Sequence, residues 1–99
     1  MAKKPKTAQR VKFQLVVPVI TTAHAPSAED FDELLKLNMA AKYEHGAFVF
    51  IGTEKPQSVV WPEWMEPIVE WFQSAYPGEN WLRFDSAGDE IDGLYLYDW

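Results

Sequence analysis

The sequence feature that most constrains the fold is a set of large apolar residues spaced three and four apart. They are Trp61, Trp64, Met65, Ile68, Trp71, Phe72 and Ala75. This spacing predicts an amphipathic helix over residues 61–76, with a wide apolar stripe. Pro67 fits a first turn but not a helix interior, so the helix begins either near Glu66 after an irregular turn or near Pro62 with a kink. Pro77-Gly78 ends it.

A wide apolar stripe needs a large apolar surface to cover, and four strand-type runs supply one. They occupy residues 11–20, 47–51, 81–84 and 94–97. The first alternates and then becomes fully apolar, which predicts a strand buried in its second half, with Pro18 at an edge or a bulge. The last two are expected to pair antiparallel around the polar loop Asp85–Gly93.

A second helix is predicted between the first two strands, from about Ala28 to Tyr43. Ser27 followed by Asp30 is a helix N-cap signature, and Gly46 is a plausible end. The apolar stripe of this helix is Phe31, Leu34, Leu35 and Met39. The order is therefore β-α-β-α-β-β, an α+β or α/β fold in which two helices pack on a four-stranded sheet. A helical connection allows the first two strands to be parallel.

One domain is expected, because 99 residues with 47% apolar composition fill one modest core. Residues 11–99 are predicted to form this domain. Residues 1–10 are predicted to be a disordered basic leader that is either simply solvated or an arm for nucleic acid or an acidic partner. The predicted core is Phe13, Leu15, Val17, Leu34, Leu35, Phe48, Phe50, Ile68, Trp71, Phe72, Leu82 and Phe84.

Charge and composition exclude several classes of function. Nine basic residues face fifteen acidic ones, four of the nine lie in residues 1–10, and residues 60–99 hold a single arginine. Such an acidic body repels nucleic acid and favours a protein partner with a basic surface. The lack of cysteine excludes disulfides, thiolate metal sites and a cysteine nucleophile, and favours a cytoplasmic location. The longest apolar run, Leu15–Ile20, is too short to span a membrane.

Chemistry-bearing residues lie in two places. His24 follows the first strand, where open α/β sheets place ligands, although a loop histidine bonded to the backbone has the same signature. Four carboxylates crowd one loop, at Asp85, Asp89, Glu90 and Asp92. Their spacing is not that of an EF-hand, and no nucleotide or cofactor motif is present, so no metal or cofactor is expected. A small metal-dependent hydrolase or nuclease would combine His24 with Asp85, Asp89 and Asp92, provided that the loop folds back to the first strand.

The final residues alternate, which places the aromatic side chains Tyr95, Tyr97 and Trp99 on one strand face and leucines on the other. That aromatic face is either covered by a helix or open to a partner, with Glu79, Asp85 and Asp92 as a polar rim. The predicted partner-binding set is Glu79, Asp85, Asp89, Glu90, Asp92, Tyr95, Tyr97 and Trp99. The sequence thus favours a non-enzymatic interaction module over the hydrolase.

Scattered motifs resemble a family of small bacterial proteins often carried on plasmids and other mobile elements. The motifs are Thr21-Thr22-Ala23-His24, His45-Gly46-Ala47-Phe48-Val49-Phe50, Leu82-Arg83-Phe84-Asp85, Asp89, Ile91-Asp92-Gly93-Leu94 and Tyr97-Asp98-Trp99. The chain departs from the family pattern at two positions: Tyr95 stands where the family usually has proline, and Ala25 stands where isoleucine or leucine is common. No activity is assigned to the family. By analogy, the mobile-element setting implies a role against or alongside host defence. The sharpest version of the interaction hypothesis is inhibition of a host nucleic-acid-binding defence protein, in which the carboxylates mimic DNA phosphates.

Overall fold

A computed structural model of the chain describes residues 10–37, 40–55, 57 and 59–99. These residues form two α-helices and one four-stranded mixed sheet, a single α+β domain. The elements in chain order are β1 (Val19–Thr21), α1 (Ala28–Leu37), β2 (Ala40–Tyr43), β3 (Gly46–Phe50), α2 (Glu66–Ala75) and β4 (Trp81–Asp85). The predicted leader lies outside the described residues, apart from Arg10.

Strand β4 is the centre of the sheet, whose spatial order is β1-β4-β3-β2. It pairs parallel with β1, through Val19 opposite Arg83, and antiparallel with β3, through Phe48 opposite Arg83. Both edges of β4 are therefore occupied. The predicted hairpin between residues 81–84 and 94–97 is wrong for this reason, because no ladder position beside β4 remains for the last segment.

The predicted order β-α-β-α-β-β is also wrong, because the described chain follows β-α-β-β-α-β. The first helix was expected to run to Tyr43, but it ends at Leu37, and residues 40–43 pair with β3 as a hairpin. The Tyr43 ring packs on Phe48 at 5.6 Å between centroids, a cross-strand contact that favours the strand. Met39, predicted on the helix stripe, lies outside the described residues.

Local signals at the helix starts are confirmed. The Ser27 hydroxyl oxygen accepts the Asp30 N–H at 3.1 Å, which caps α1. A single 3₁₀ turn, Glu63–Met65, precedes α2, so Pro67 lies in the first turn, where no backbone donor is needed. The first of the two alternative starts, near Glu66, is therefore the observed one.

The first strand is much shorter than predicted. It begins at Val19, directly after Pro18, whose carbonyl still accepts the Arg83 N–H at 2.9 Å. Phe13 and Leu15, placed in the predicted core, are 82% and 73% exposed, and Val17 is half-buried. These core assignments are wrong because the chain before Pro18 leaves the sheet. Pro18 is at an edge strand, as expected.

The core lies between the two helices and one face of the sheet. Five predicted members are buried there: Leu34, Ile68, Phe72, Leu82 and Phe84. Leu35 and Trp71 are partly buried against them. Phe48 and Phe50 were assigned to the wrong face, since Ala47 and Val49 are the buried residues of β3. In a strand, neighbouring side chains point to opposite faces of the sheet, so Ala47 and Val49 share one face and Phe48 and Phe50 the other. Both pairs are apolar, so the sequence does not show which pair faces the helices, and in the structure the bulkier phenylalanines face away from them.

Substitution of a phenylalanine should cost more stability on the sheet face that packs against the helices than on the opposite face. Phe84→Ala empties a fully buried site against Phe31 and should lower the free energy of unfolding by about 3–5 kcal/mol. Phe50→Ala removes a half-buried ring in edge contact with Trp81 and should cost about 1–2 kcal/mol. Urea denaturation of both variants measures the difference. Equal losses would contradict the assignment of the faces.

Candidate functional site

His24 joins the end of the chain to the β1–α1 connection. The ring is 1% exposed, its Nδ1 lies 2.7 Å from the Tyr95 carbonyl oxygen, and its Nε2 lies 3.0 Å from the Ile91 nitrogen. A backbone N–H can only donate, so Nε2 accepts from Ile91 and Nδ1 carries the proton that is donated to Tyr95. Both ring nitrogens are therefore engaged within the protein. This geometry favours the structural reading of His24.

The acidic loop does fold back to the first strand. Asp89 pairs with β1: its carbonyl accepts the Thr21 N–H at 2.9 Å, and its N–H lies 3.3 Å from the Val19 carbonyl oxygen. Gly88 permits this approach, because a Cβ there would lie 2.4 Å from the Ile20 carbonyl oxygen. The contact is made by backbone, while the side chain of Asp89 is exposed. Among the described residues, no group of three His, Asp or Glu side chains has metal-binding geometry.

Asp85 belongs to a separate polar cluster on the face of the sheet away from the helices. Its Oδ2 accepts from the Tyr43 hydroxyl at 2.6 Å and from Arg83 Nη2 at 3.0 Å. Its Oδ1 accepts the Ala87 N–H at 2.8 Å. Arg83 Nε also donates to the Tyr43 hydroxyl at 2.6 Å, and its guanidinium lies 5.0 Å from the centre of that ring. Asp85 is 9% exposed, so its carboxylate is engaged inside the protein rather than offered to a partner.

Hydrogen bonds control the ionisation of this cluster. The bond from the Tyr43 hydroxyl, and next the bond from the Ala87 N–H, lower the pKa of the Asp85 carboxyl. Burial is the main cause that raises the pKa of the Tyr43 hydroxyl. The cluster is therefore an ion pair with a neutral tyrosine at neutral pH.

The remaining predicted site residues are Glu79, which lies just before β4, and the acids of the loop after it, Asp89, Glu90 and Asp92. Glu79 precedes β4, whereas Asp85 ends it, so the strand separates them by roughly 13 Å or more. Glu79 and Asp85 therefore do not form one rim. Asp89, Glu90 and Asp92 are exposed on the loop that leads to Tyr95.

Two of the three C-terminal aromatic residues, Tyr95 and Tyr97, lie together, although not on a strand, whereas Trp99 lines a different depression with Thr22 and Phe31. The Tyr95 and Tyr97 rings are 6.3 Å apart, the Tyr97 N–H donates to the Ala23 carbonyl at 2.8 Å, and Trp99 Nε1 donates to the Ala25 carbonyl at 2.7 Å. These bonds hold the last segment across the start of α1. Tyr95 is 73% exposed, so its ring is accessible.

Tyr95 and Tyr97 line one wall of a groove of about 520 Å³. The groove, called the acidic groove below, is lined by Pro26, Asp30, Glu63, Trp64, Glu66, Pro67, Tyr95 and Tyr97. Three of these eight residues are acids and none is basic. Asp30 lies in the first turn of α1, Glu66 in that of α2 and Glu63 in the preceding 3₁₀ turn. The groove therefore forms where the starts of both helices meet the end of the chain.

The three groove acids were not among the predicted site residues. Their local signal was the preference for acids at helix starts, which explains each of them without a partner. Only the packing of α1, α2 and the last segment brings them together. The tyrosines were predicted correctly as neighbours, but from a strand that does not form.

Comparison of the chain with protein-family models, with curated proteins and with solved structures found no match. The resemblance to the plasmid-borne family therefore stays a prediction. Neither helix in the part of the chain that the structure describes is long and apolar enough to cross a bilayer.

The substitution Asp85→Asn should lower the stability of the protein by an amount that depends on pH. Because the folded protein lowers the pKa of Asp85, the ionised carboxylate stabilises the fold above the unfolded value of about 3.9, and this stabilisation is lost as pH falls through the lowered pKa. The melting temperature of Asp85→Asn should lie below that of the unmodified protein at pH 7, and the gap should narrow in acid. Asp92→Asn, at an exposed loop position, is the control. A gap that does not change with pH would contradict this role.

His24→Ala should release the last segment. It leaves the Ile91 N–H and the Tyr95 carbonyl without their partner, and because both bonds are part-buried each loss should cost about 1 kcal/mol. Hydrogen–deuterium exchange should speed up at Ile91 and Tyr97 while the β4 amides change less. His45→Ala, at an exposed turn, should leave both unchanged. Unaltered exchange at Ile91 in His24→Ala would show that the segment is held by other contacts.

Proposed function

We propose that this protein is a non-enzymatic interaction module that binds a basic segment of a partner protein in the acidic groove. The observation that carries the proposal is the makeup of that groove, in which three carboxylates, two tyrosines and a tryptophan face one space of about 520 Å³. A groove of this size accommodates a few side chains of an extended peptide rather than a folded surface.

The chemistry of the lining fits arginine or lysine. Carboxylates at Asp30, Glu63 and Glu66 attract a cation, and a guanidinium can bond them through two parallel donors. The faces of Tyr95, Tyr97 and Trp64 add cation–π attraction of about 0.5–2 kcal/mol for each well-placed cation. Pro26 and Pro67 supply apolar contact for the side-chain stem. The lining thus offers an aromatic wall with acids beside it, as in interfaces with anchored arginines.

Charge outside the groove supports the same partner. Residues 60–99 contain one base and seven acids besides the groove residues Glu63 and Glu66. Of these seven, the exposed Asp89, Glu90 and Asp92 lie on the loop that leads to Tyr95. A basic partner is therefore steered toward this end of the molecule, and its association rate falls as salt rises. The engagement of both His24 nitrogens supports a binding role over the hydrolase.

Binding should depend on the groove acids more than on total charge. The probe is a fluorescein-labelled oligoarginine peptide, followed by fluorescence anisotropy at low and moderate salt. Glu63→Gln with Glu66→Gln should weaken binding by about tenfold or more, the loss of one to two charge-assisted contacts. The control is Glu44→Gln with Glu54→Gln, which removes the same charge at exposed positions outside the groove and should change affinity by less than about threefold.

Equal losses of peptide affinity in both double variants would contradict binding in the groove, because they would show that the peptide responds only to the total charge of the protein. Tyr95→Ala adds a second criterion. Tyr95 is exposed, so its removal should leave thermal stability nearly unchanged while peptide binding falls. If Tyr95→Ala collapses the fold instead, the ring is part of the packing and not of the binding surface.

A narrower form of the proposal is that the basic partner is a host nucleic-acid-binding defence protein, whose phosphate sites the carboxylates occupy. In that form, duplex DNA and this protein compete for one surface of the partner. A captured partner should be displaced by DNA and should lose DNA binding when this protein is added. A partner that binds both together contradicts the narrower form and leaves the groove proposal to the peptide experiment.

A further inference from the structure

A second space adjoins the acidic groove, and the proposed function does not use it. It has a volume of about 410 Å³ and lies between α2 and the chain segment that precedes the 3₁₀ turn. Its apolar lining consists of Val59, Val60, Trp61 and Val69, and the space is called the valine pocket below. Glu66 lines both the valine pocket and the acidic groove, so the two spaces meet at the first turn of α2.

The charges of the valine pocket differ from those of the acidic groove. Its lining includes two acids, Glu66 and Glu70, and one base, Lys55, and all three are exposed at its rim. Because these charges largely offset one another, the pocket does not select a cation as the acidic groove does. Deeper in the pocket the lining is apolar, since Trp61 and Val69 are 9% and 6% exposed. The valine pocket therefore favours an apolar side chain.

Hydrogen bonds hold the segment that forms the far wall of the pocket. Gln73, on α2, donates from Nε2 to the Gly52 and Glu54 carbonyl oxygens at 3.3 Å each. Gln57 Nε2 donates to the same Glu54 carbonyl at 2.8 Å. These bonds tie the segment to the helix without covering the apolar lining. The pocket is thus formed without a ligand, which lowers the entropic cost of filling it.

Trp61 adds a polar group that lacks a partner. Its Nε1 is buried, and among the described residues no acceptor lies within hydrogen-bond distance of it. A buried donor without an acceptor is unfavourable, and a carbonyl oxygen of a peptide that enters the pocket would satisfy it. The pocket thus offers an apolar surface for a side chain and a donor for the backbone that carries the side chain.

We infer that the partner segment inserts an aliphatic side chain into the valine pocket, two residues away from the cation in the acidic groove, an inference that rests on the proposed function and adds a second anchor to it. Side chains two residues apart in an extended peptide point the same way and lie about 6.6 Å apart. The four residues from Glu66, shared by both spaces, to Glu70 in the valine pocket rise about 6 Å along α2. The two spacings match.

A second anchor gives the protein a selectivity that charge does not. An acidic surface attracts every basic segment, so the acidic groove distinguishes poorly among basic partners. An aliphatic residue at a fixed distance from the cation gains apolar contact in the valine pocket, and a segment without it does not. The partner class is therefore a basic segment with an aliphatic residue two positions from an arginine or lysine.

Two fluorescein-labelled peptides of equal length and charge test the inference by fluorescence anisotropy with the full chain. Both contain a run of four arginines flanked by glycine. In one peptide leucine stands two residues beyond each end of the run, and in the other glycine replaces both leucines. Leucine at both ends makes the result independent of the direction in which the peptide lies. The leucine peptide should bind about fivefold more tightly, as expected for partial burial of one aliphatic side chain.

Variants of the full chain assign this gain to the valine pocket. Val60→Ser, at an 89% exposed position, should reduce the difference between the peptides to about twofold or less and leave the affinity of the glycine peptide unchanged. Val11→Ser, at a 68% exposed position outside both spaces, is the matched control and should keep the fivefold difference. In nuclear magnetic resonance spectra, the Trp61 indole N–H should shift with the leucine peptide and less with the glycine peptide.

Each contrary outcome is distinct. Equal affinities for the two peptides overturn the inference and leave the acidic groove as the whole site. A leucine gain that Val60→Ser does not reduce, or an unmoved Trp61 indole N–H, also overturns it, because the leucine then lies elsewhere. If neither peptide binds, the proposed function fails and the inference fails with it.

Discussion

The candidate site depends on the hydrogen bonds that hold the last segment, two of which are made by the buried imidazole of His24. Its two nitrogens bond the backbone at Ile91 and Tyr95 and thereby hold the last segment against the β1–α1 connection. Tyr95 and Tyr97 reach the acidic groove only because that segment is fixed there. One partner accepts a proton and the other donates one, so the two hydrogen bonds require the tautomer with the proton on Nδ1. Both partners are backbone groups, so these bonds do not depend on the side chains of the last segment.

Local signals predicted much of the scaffold and little of the site. The cap at Ser27, the start of α2 and strands β3 and β4 follow from capping, proline and apolar runs, which act over a few residues. Residues 40–43 were predicted to be helical but form a strand, and residues 94–97 were predicted to form a strand but do not. Both errors arose because a strand forms only where a neighbouring strand has an unpaired edge, and the sequence does not show which edges are unpaired. The groove acids Asp30, Glu63 and Glu66 come from separate helix starts, so only tertiary packing brings them together.

The two sides of the sheet divide the chemistry of the chain. The helix side carries acids and aromatic rings and is suited to a cationic peptide, whereas the side away from the helices carries the half-buried rings of Phe50 and Trp81. The ion cluster of Asp85, Arg83 and Tyr43 limits the apolar part of that face to one end.

Nuclear magnetic resonance titration of the full chain with an oligoarginine peptide locates the residues that contact the cation. Binding in the acidic groove predicts saturable shifts at the Trp64 indole N–H and at the Tyr95 and Tyr97 amides, with the Trp71 indole unaffected. Shifts confined to the loop Asp89–Asp92, or spread evenly over exposed acids, would contradict the acidic groove as the site of recognition.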